Sequence, residues 1–237
     1  MPLFSPSVEP ASGATSRREF FRRAGFGLGA AALATSVAAC DSTEPGDGSG
    51  GDAVTLDFSN DFGVLNYAYA LEQLEAAYYA AVIGSASFAN TFSGQEQAIL
   101  RDLAAHEAIH RDFFAAAITG AGGTPIPGLT PNFESVNFAN RASVLGTAQV
   151  FEDLGVSAYN GAGRFIESDV YLTLAGKIVS VEARHASVIA GLLEMNSIAS
   201  DGQIDANGLD RARTPSEVLT AAAPFIEDDI SAINVPA

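Results

Sequence analysis

The stretch VEARHASVI, residues 181–189, carries three polar side chains within a segment that otherwise has the composition of a buried helix. On a helix, Glu182 and His185 share one face because they are three positions apart, whereas Arg184 points about a third of a turn away from His185. An acid and a histidine on one face of a mostly apolar helix need a partner inside the fold. The question is what this shared face contacts in the folded protein.

A second copy of this motif lies earlier in the chain. HEAIHRDFF, residues 106–114, has the same Glu-x-x-His spacing, so that Glu107 aligns with Glu182 and His110 with His185. A single Glu-x-x-His motif arises easily by chance, but two of them at matching places in an internal repeat are strong evidence for a shared role. These four side chains are therefore candidate functional residues.

The repeat also covers the segments that precede the two motifs. LEQLEAAYY, residues 71–79, aligns with FEDLGVSAY, residues 151–159, and this places Glu72 opposite Glu152. Glu75 is a rival to Glu72 as the functional acid of the first segment, but it falls opposite a glycine in the second copy. The alignment therefore favours Glu72.

Helical periodicity extends over four long segments, at about 59–83, 94–119, 137–166 and 169–197. Ser93 and Glu96 form a capping box at the start of the second segment, and Thr214-Pro215-Ser216-Glu217 predicts a short C-terminal helix. GAGGTPIPGLTPNF, residues 120–133, is a Gly/Pro-rich connection that should cross from one helix pair to the other. No strand-like alternation of useful length competes. The predicted fold is all-α, a four-helix bundle with one long crossover and a short C-terminal helix.

The core-facing seams of the four helices are apolar except at one level. At that level six polar side chains face inward: Glu72, Glu107, His110, Glu152, Glu182 and His185. Four carboxylates and two imidazoles cannot remain unpaired in a bundle core, because removing charges from water is costly. Two divalent cations would balance the four negative charges, so the pattern predicts a metal site.

With these residues the chain resembles the ferritin-like proteins, in which a Glu from each of two helices and a Glu-x-x-His from each of the other two hold two metal ions. The resemblance covers about 60–197 and points to the exported ferritin-like domain proteins often labelled desiccation-related. It implies that one ion is held by Glu72, Glu107 and His110, the other by Glu152, Glu182 and His185, with Glu107 and Glu182 bridging the pair.

Carboxylate and imidazole ligands favour Fe or Mn and also accept Zn. The function expected from this resemblance is a dinuclear metal oxidoreductase that oxidises Fe(II) or consumes O₂ or peroxide in stress protection, as ferroxidases and manganese catalases do. The alternative is a non-catalytic stress or structural lipoprotein whose site is vestigial or only staples the bundle. The pattern predicts no catalytic residue apart from the ligands, and it leaves the existence of an enzymatic activity and of a homo-oligomer open.

Three aromatic or imidazole side chains lie near the predicted ligands. Tyr79 and Tyr159 are expected to pack in the core, with a hydrogen bond to a ligand or a role as a radical site as the alternatives. His106 is off the seam and is expected to lie beside the site as a partly exposed residue rather than as a ligand.

The N-terminal segment has the layout of an export signal. SRREFFR, residues 16–22, resembles a twin-arginine motif, and VAAC, residues 37–40, resembles a lipobox. These motifs predict a lipoprotein anchored through Cys40 in the cell envelope, in the periplasm or on the outer face of the membrane. The alternative is an ordinary signal cleaved near Ala39. The predicted domains are the signal at 1–40, a flexible linker at 41–53, the bundle at 54–200 and a C-terminal extension at 201–237.

The composition narrows the range of partners. The chain has 12 Lys and Arg against 28 Asp and Glu, a formal net charge of −16 at pH 7. This excess of acid makes nucleic acid an unsuitable partner and metal cations suitable ones. Cys40 is the only cysteine, so neither an internal disulfide nor a thiolate metal cage can form.

Overall fold

The structure, a computed structural model, describes residues 53–193 and 202–236. The predicted signal at 1–40, with Cys40, and nearly all of the predicted linker at 41–53 lie outside the described residues. The predicted end of the fourth helix near Ser197 also lies outside them.

The described residues form four long α-helices, two short ones and two short strands. In chain order they are β1 (Val54–Asp57), α1 (Asp61–Gly84), α2 (Phe88–Thr91), α3 (Gly94–Gly120), α4 (Arg141–Ala162), α5 (Asp169–Leu192), α6 (Pro215–Ala222) and β2 (Ile230–Ile233), with 3₁₀ turns at Gly163–Phe165 and Ala223–Phe225. The all-α class and the four long helices are confirmed.

Local side-chain chemistry sets where the helices begin. Ser93 and Glu96 form the predicted capping box of α3, and Thr214 and Glu217 form that of α6. The third long helix begins later than predicted, because Asn140 caps it through the backbone N–H of Ser143. It also ends earlier, since the chain passes into a 3₁₀ turn after Ala162.

The four long helices pack as two pairs, α1 with α3 and α4 with α5. The crossover between α3 and α4 is held along α1 by two amide side chains. Asn66 accepts a hydrogen bond from the backbone N–H of Ile126 at 2.8 Å, and Gln73 accepts one from that of Leu129 at 2.9 Å. These bonds hold the long connection between the two helix pairs against α1.

The C-terminal segment completes the core instead of lying apart from it. Helix α6 packs on α4, and Val218 and Ala222 are buried in the main core. Strand β2 pairs in parallel with β1, with Val54 opposite Ile230 and Asp57 opposite Ile233. The sequence did not predict these strands, because four residues are too few to show a period of two. Among the described residues, no helix has both the length and the hydropathy needed to cross a membrane.

Candidate metal centre

The structure brings together all six residues that the repeat singled out. Helices α1 and α4 each contribute one glutamate, and helices α3 and α5 each contribute a glutamate and a histidine one turn later: Glu72, Glu152, Glu107 with His110, and Glu182 with His185. All four glutamates are fully buried. His185 is buried as well, and the side chain of His110 is 12% exposed.

The six side chains form two overlapping groups. The first consists of Glu72, Glu107, His110 and Glu182, and the second of Glu107, Glu152, Glu182 and His185. Within each group the potential ligand atoms lie within 4.8 Å of one another. Because Glu107 and Glu182 belong to both groups, the arrangement can hold two metal ions side by side.

Each histidine turns its Nδ1 atom toward the glutamates. His110 Nδ1 lies 2.8 Å from Glu182 Oε1, 3.4 Å from Glu107 Oε2 and 3.5 Å from Glu72 Oε2. His185 Nδ1 lies 2.6 Å from Glu107 Oε1, 3.5 Å from Glu152 Oε2 and 3.6 Å from Glu182 Oε2. Each imidazole nitrogen therefore faces carboxylate oxygens from three helices.

These contacts are short, but they lack the alignment of hydrogen bonds. In the part of the chain that the structure describes, ten buried side-chain atoms have no hydrogen-bond partner, and eight of them belong to this cluster. The eight are Glu72 Oε2, Glu152 Oε2, both carboxylate oxygens of Glu107 and of Glu182, and the Nδ1 atoms of His110 and His185. Buried polar atoms normally have partners. A convergent set of orphaned oxygen and nitrogen atoms fits metal coordination.

Burial shifts the ionisation of two of the glutamates. Desolvation raises the pKa of Glu72 and of Glu152 to about 8, although the adjacent histidines act in the opposite direction. The negative charges of Glu107 and Glu182 add to this rise. Without a metal ion, both carboxyl groups are therefore mostly protonated at neutral pH.

The other side of the cluster is charged in the metal-free protein. Burial alone would raise the pKa of Glu107, but the His110 and His185 rings beside it lower that pKa to about 2. Burial would likewise lower the pKa of each histidine, yet the surrounding glutamates raise both values to about 12. In the metal-free protein the two imidazolium charges therefore offset carboxylate charge, although they do not supply the aligned hydrogen bonds that the orphaned atoms lack.

Two tyrosines hold the outer glutamates from the opposite helix. Tyr79 on α1 donates a hydrogen bond to Glu152 Oε1 at 2.5 Å, and Tyr159 on α4 donates one to Glu72 Oε1. In each glutamate the other oxygen, Oε2, faces the histidines. Core packing, the first expectation for these tyrosines, is only part of their role, because each also orients a carboxylate.

Glu75 is a fifth buried carboxylate next to the cluster, 3% exposed. It belongs to neither group of potential ligands, in agreement with the preference of the repeat for Glu72. The structure shows why Gly155 stands opposite it: a Cβ atom at that position would lie 3.1 Å from Glu75 Oε1. Burial and the neighbouring glutamates, Glu182 first among them, raise the pKa of Glu75.

His106 lies beside the site and is exposed, as its position off the seam predicts. Its Nδ1 atom lies 3.0 Å from Nε2 of His185. Since the chain has three histidines in all, every one of them is at this site.

The donor set of two imidazoles and four carboxylates suits Fe, Mn or Zn and does not discriminate among them. Two divalent ions would neutralise four ionised glutamates. The cluster can therefore hold metal ions.

Comparison with known families agrees with the fold and the cluster. The sequence profile of the ferritin-like domain matches residues 60–195, which span all four long helices. The chain belongs to the ferritin-like family. A search of curated proteins found no match to it.

Proposed function

We propose that the protein is a dinuclear metal oxidoreductase of the cell envelope that binds two Fe or Mn ions and oxidises Fe(II) or consumes peroxide. The observation that carries the proposal is the set of eight buried, orphaned ligand atoms that converge in two overlapping groups. Such a cluster is costly to bury unless cations compensate it.

Each ion would have one outer glutamate and one histidine of its own. Glu72 and His110 would hold the first ion, Glu152 and His185 would hold the second, and Glu107 and Glu182 would bridge them. When bound, two redox-active ions side by side can exchange two electrons with O₂ or peroxide.

The chain's own residues prepare the site for this chemistry. The bundle core excludes bulk water from the four glutamates, all fully buried. Tyr79 and Tyr159 keep the outer carboxylates oriented. The side chain of His110 is 12% exposed, the most of the six. A small reactant would therefore reach the cluster at His110.

Metal content tests the site directly. Protein purified from its native host should contain about two Fe or Mn ions per chain by elemental mass spectrometry. Glu107→Ala and Glu182→Ala should each lose both ions, because each removes a carboxylate shared by both groups. Glu134→Ala, at an exposed glutamate of the crossover, is the matched control and should keep both. If the purified wild-type protein contained no metal and the Glu107→Ala and Glu182→Ala variants folded equally well, the site would be refuted.

A second candidate is a non-catalytic stress or structural lipoprotein whose ions only staple the bundle. It is favoured by the fact that the ligand groups draw on all four long helices, so that bound ions would cross-link them. Anaerobic addition of Fe(II) followed by O₂ separates the two candidates. An oxygen-dependent absorbance change with turnover supports the oxidoreductase, whereas bound iron without such a change supports a non-catalytic protein whose ions only cross-link the helices.

The location in the cell envelope rests on sequence motifs. We place the protein outside the cytoplasm, attached through a lipid on Cys40, as in the exported, desiccation-related type of ferritin-like protein. Labelled palmitate should be incorporated into the wild-type protein and not into Cys40→Ser. Replacing both Arg17 and Arg18 with lysine should retain the protein in the cytoplasm. Labelling that survives Cys40→Ser would rule out the anchor.

A further inference from the structure

His106 contacts the site from outside the two ligand groups. It lies on α3, one position before Glu107, and reaches across to His185 on α5. The distance from His106 Nδ1 to His185 Nε2 is 3.0 Å, the ring centroids are 5.2 Å apart and the ring planes are inclined by 20°, so the two rings meet edge to edge in nearly one plane. His185 therefore has one ring nitrogen toward the glutamates and the other toward His106.

This geometry determines which tautomer of His185 is useful. A histidine that binds a metal through Nδ1 carries its proton on Nε2, and that N–H needs an acceptor. His106 Nδ1 lies at the right distance to accept it. The same bond also fixes the plane of the His185 ring, so that Nδ1 stays directed at Glu107, Glu152 and Glu182.

We propose that His106 is a positioning residue that holds His185 in the orientation and tautomer required for the second ion. The inference rests on the dinuclear centre proposed above and adds that its two positions are not equivalent. In the internal repeat, His106 corresponds to Val181, whose side chain has no hydrogen-bonding group. His110 thus lacks a counterpart of His106 at the matching position, and the second ion binds more tightly than the first.

Metal titration of two variants tests this role. Chelator-stripped protein is titrated with Co²⁺ by calorimetry while the cobalt absorption bands are recorded. The wild type should bind two ions with different affinities. His106→Leu should weaken the tighter one about 10–100-fold, the usual effect of removing a hydrogen-bond partner from a ligand, and leave the other unchanged. His106→Asn should restore most of the affinity, because its amide oxygen can accept the same hydrogen bond as Nδ1.

Two controls separate positioning from a general effect on the fold. Ile109→Ala changes a residue that is 62% exposed on the same helix and should bind both ions as the wild type does. Because His106 is exposed, the melting temperature of metal-free His106→Leu should stay close to that of the wild type.

The outcomes distinguish this inference from the proposed function. Wild-type protein that binds no Co²⁺ would overturn the dinuclear centre itself. Two ions bound by His106→Leu with wild-type affinities would overturn only the role of His106, and so would equal weakening of both ions in the leucine and asparagine variants. Selective loss in the leucine variant, with rescue by asparagine, supports the inference.

Discussion

Binding of two divalent ions to the metal-free protein should release about four protons at pH 7. In the metal-free state His110 and His185 are protonated, because the surrounding glutamates raise their pKa values to about 12. Glu72 and Glu152 are mostly protonated too, since desolvation raises their pKa values to about 8. Bound ions require all four groups in their deprotonated forms. One proton leaves from each of the four groups, and the four positive charges of the two metal ions replace the charges of these four protons.

The same pKa values predict how the affinity depends on pH. Each displaced proton changes the affinity about tenfold per pH unit, so the product of the two binding constants should fall about 10⁴-fold for each unit below pH 8. Above pH 8, Glu72 and Glu152 are already ionised. Only the two imidazolium protons then remain to be displaced, and the dependence should weaken to about 100-fold per unit.

Calorimetry measures this release. Mn²⁺ is titrated anaerobically into chelator-stripped protein in two buffers with different heats of ionisation, and the difference in observed enthalpy yields the number of protons. We expect about four at pH 7 and about two at pH 9. A release near zero at pH 7 would show that the metal-free cluster has no imidazolium–carboxylate pairs. A release of about two protons at both pH values would show that the pKa values of Glu72 and Glu152 are not raised.

Two further predictions concern contacts made by helix α4. Tyr159→Phe removes the donor to Glu72 and keeps the ring, so the affinity for the first ion should fall about tenfold in a competition with a chelating dye; an unchanged affinity would contradict the orienting role. Gly161→Ala should destabilise the protein by about 3 kcal/mol in urea unfolding, because the new Cβ atom would lie 1.8 Å from the carbonyl oxygen of Arg213. Gly146→Ala, in the same helix, should instead stabilise it by about 0.5–1 kcal/mol, because an added Cβ atom would meet nothing within 4 Å beyond the adjacent backbone of its own helix. Matching stabilities of the two alanine variants would refute the predicted close contact.

Much of this protein can be read from local sequence. Helix periodicity and caps such as Ser93 with Glu96 depend on residues within one or two turns, so they identify the four long helices and most of their starting points. The internal repeat then selects the six inward-facing residues, because duplicated segments place equivalent side chains on equivalent faces. Their proximity follows from the bundle, and their role as ligands remains a prediction.

The tertiary structure decides what each of these residues contacts. Tyr79 and Tyr159 lie on the same helices as Glu72 and Glu152, respectively, yet each donates to the glutamate of the other helix. The His106–His185 pair spans 79 positions, and no periodicity within one helix could reveal it.

The ends of the domain show the same limit more strongly. Strands β1 and β2 pair in parallel, and Asn234 donates a hydrogen bond to Asp57 across 177 positions. Four-residue strands carry too little pattern to be recognised, and they persist because the packed bundle brings residues 54–57 and 230–233 to the same place. Sequence alone therefore determined which side chains face inward, since helix geometry is local. Only the tertiary structure decided how they are paired, since those pairings join residues that are distant in the chain.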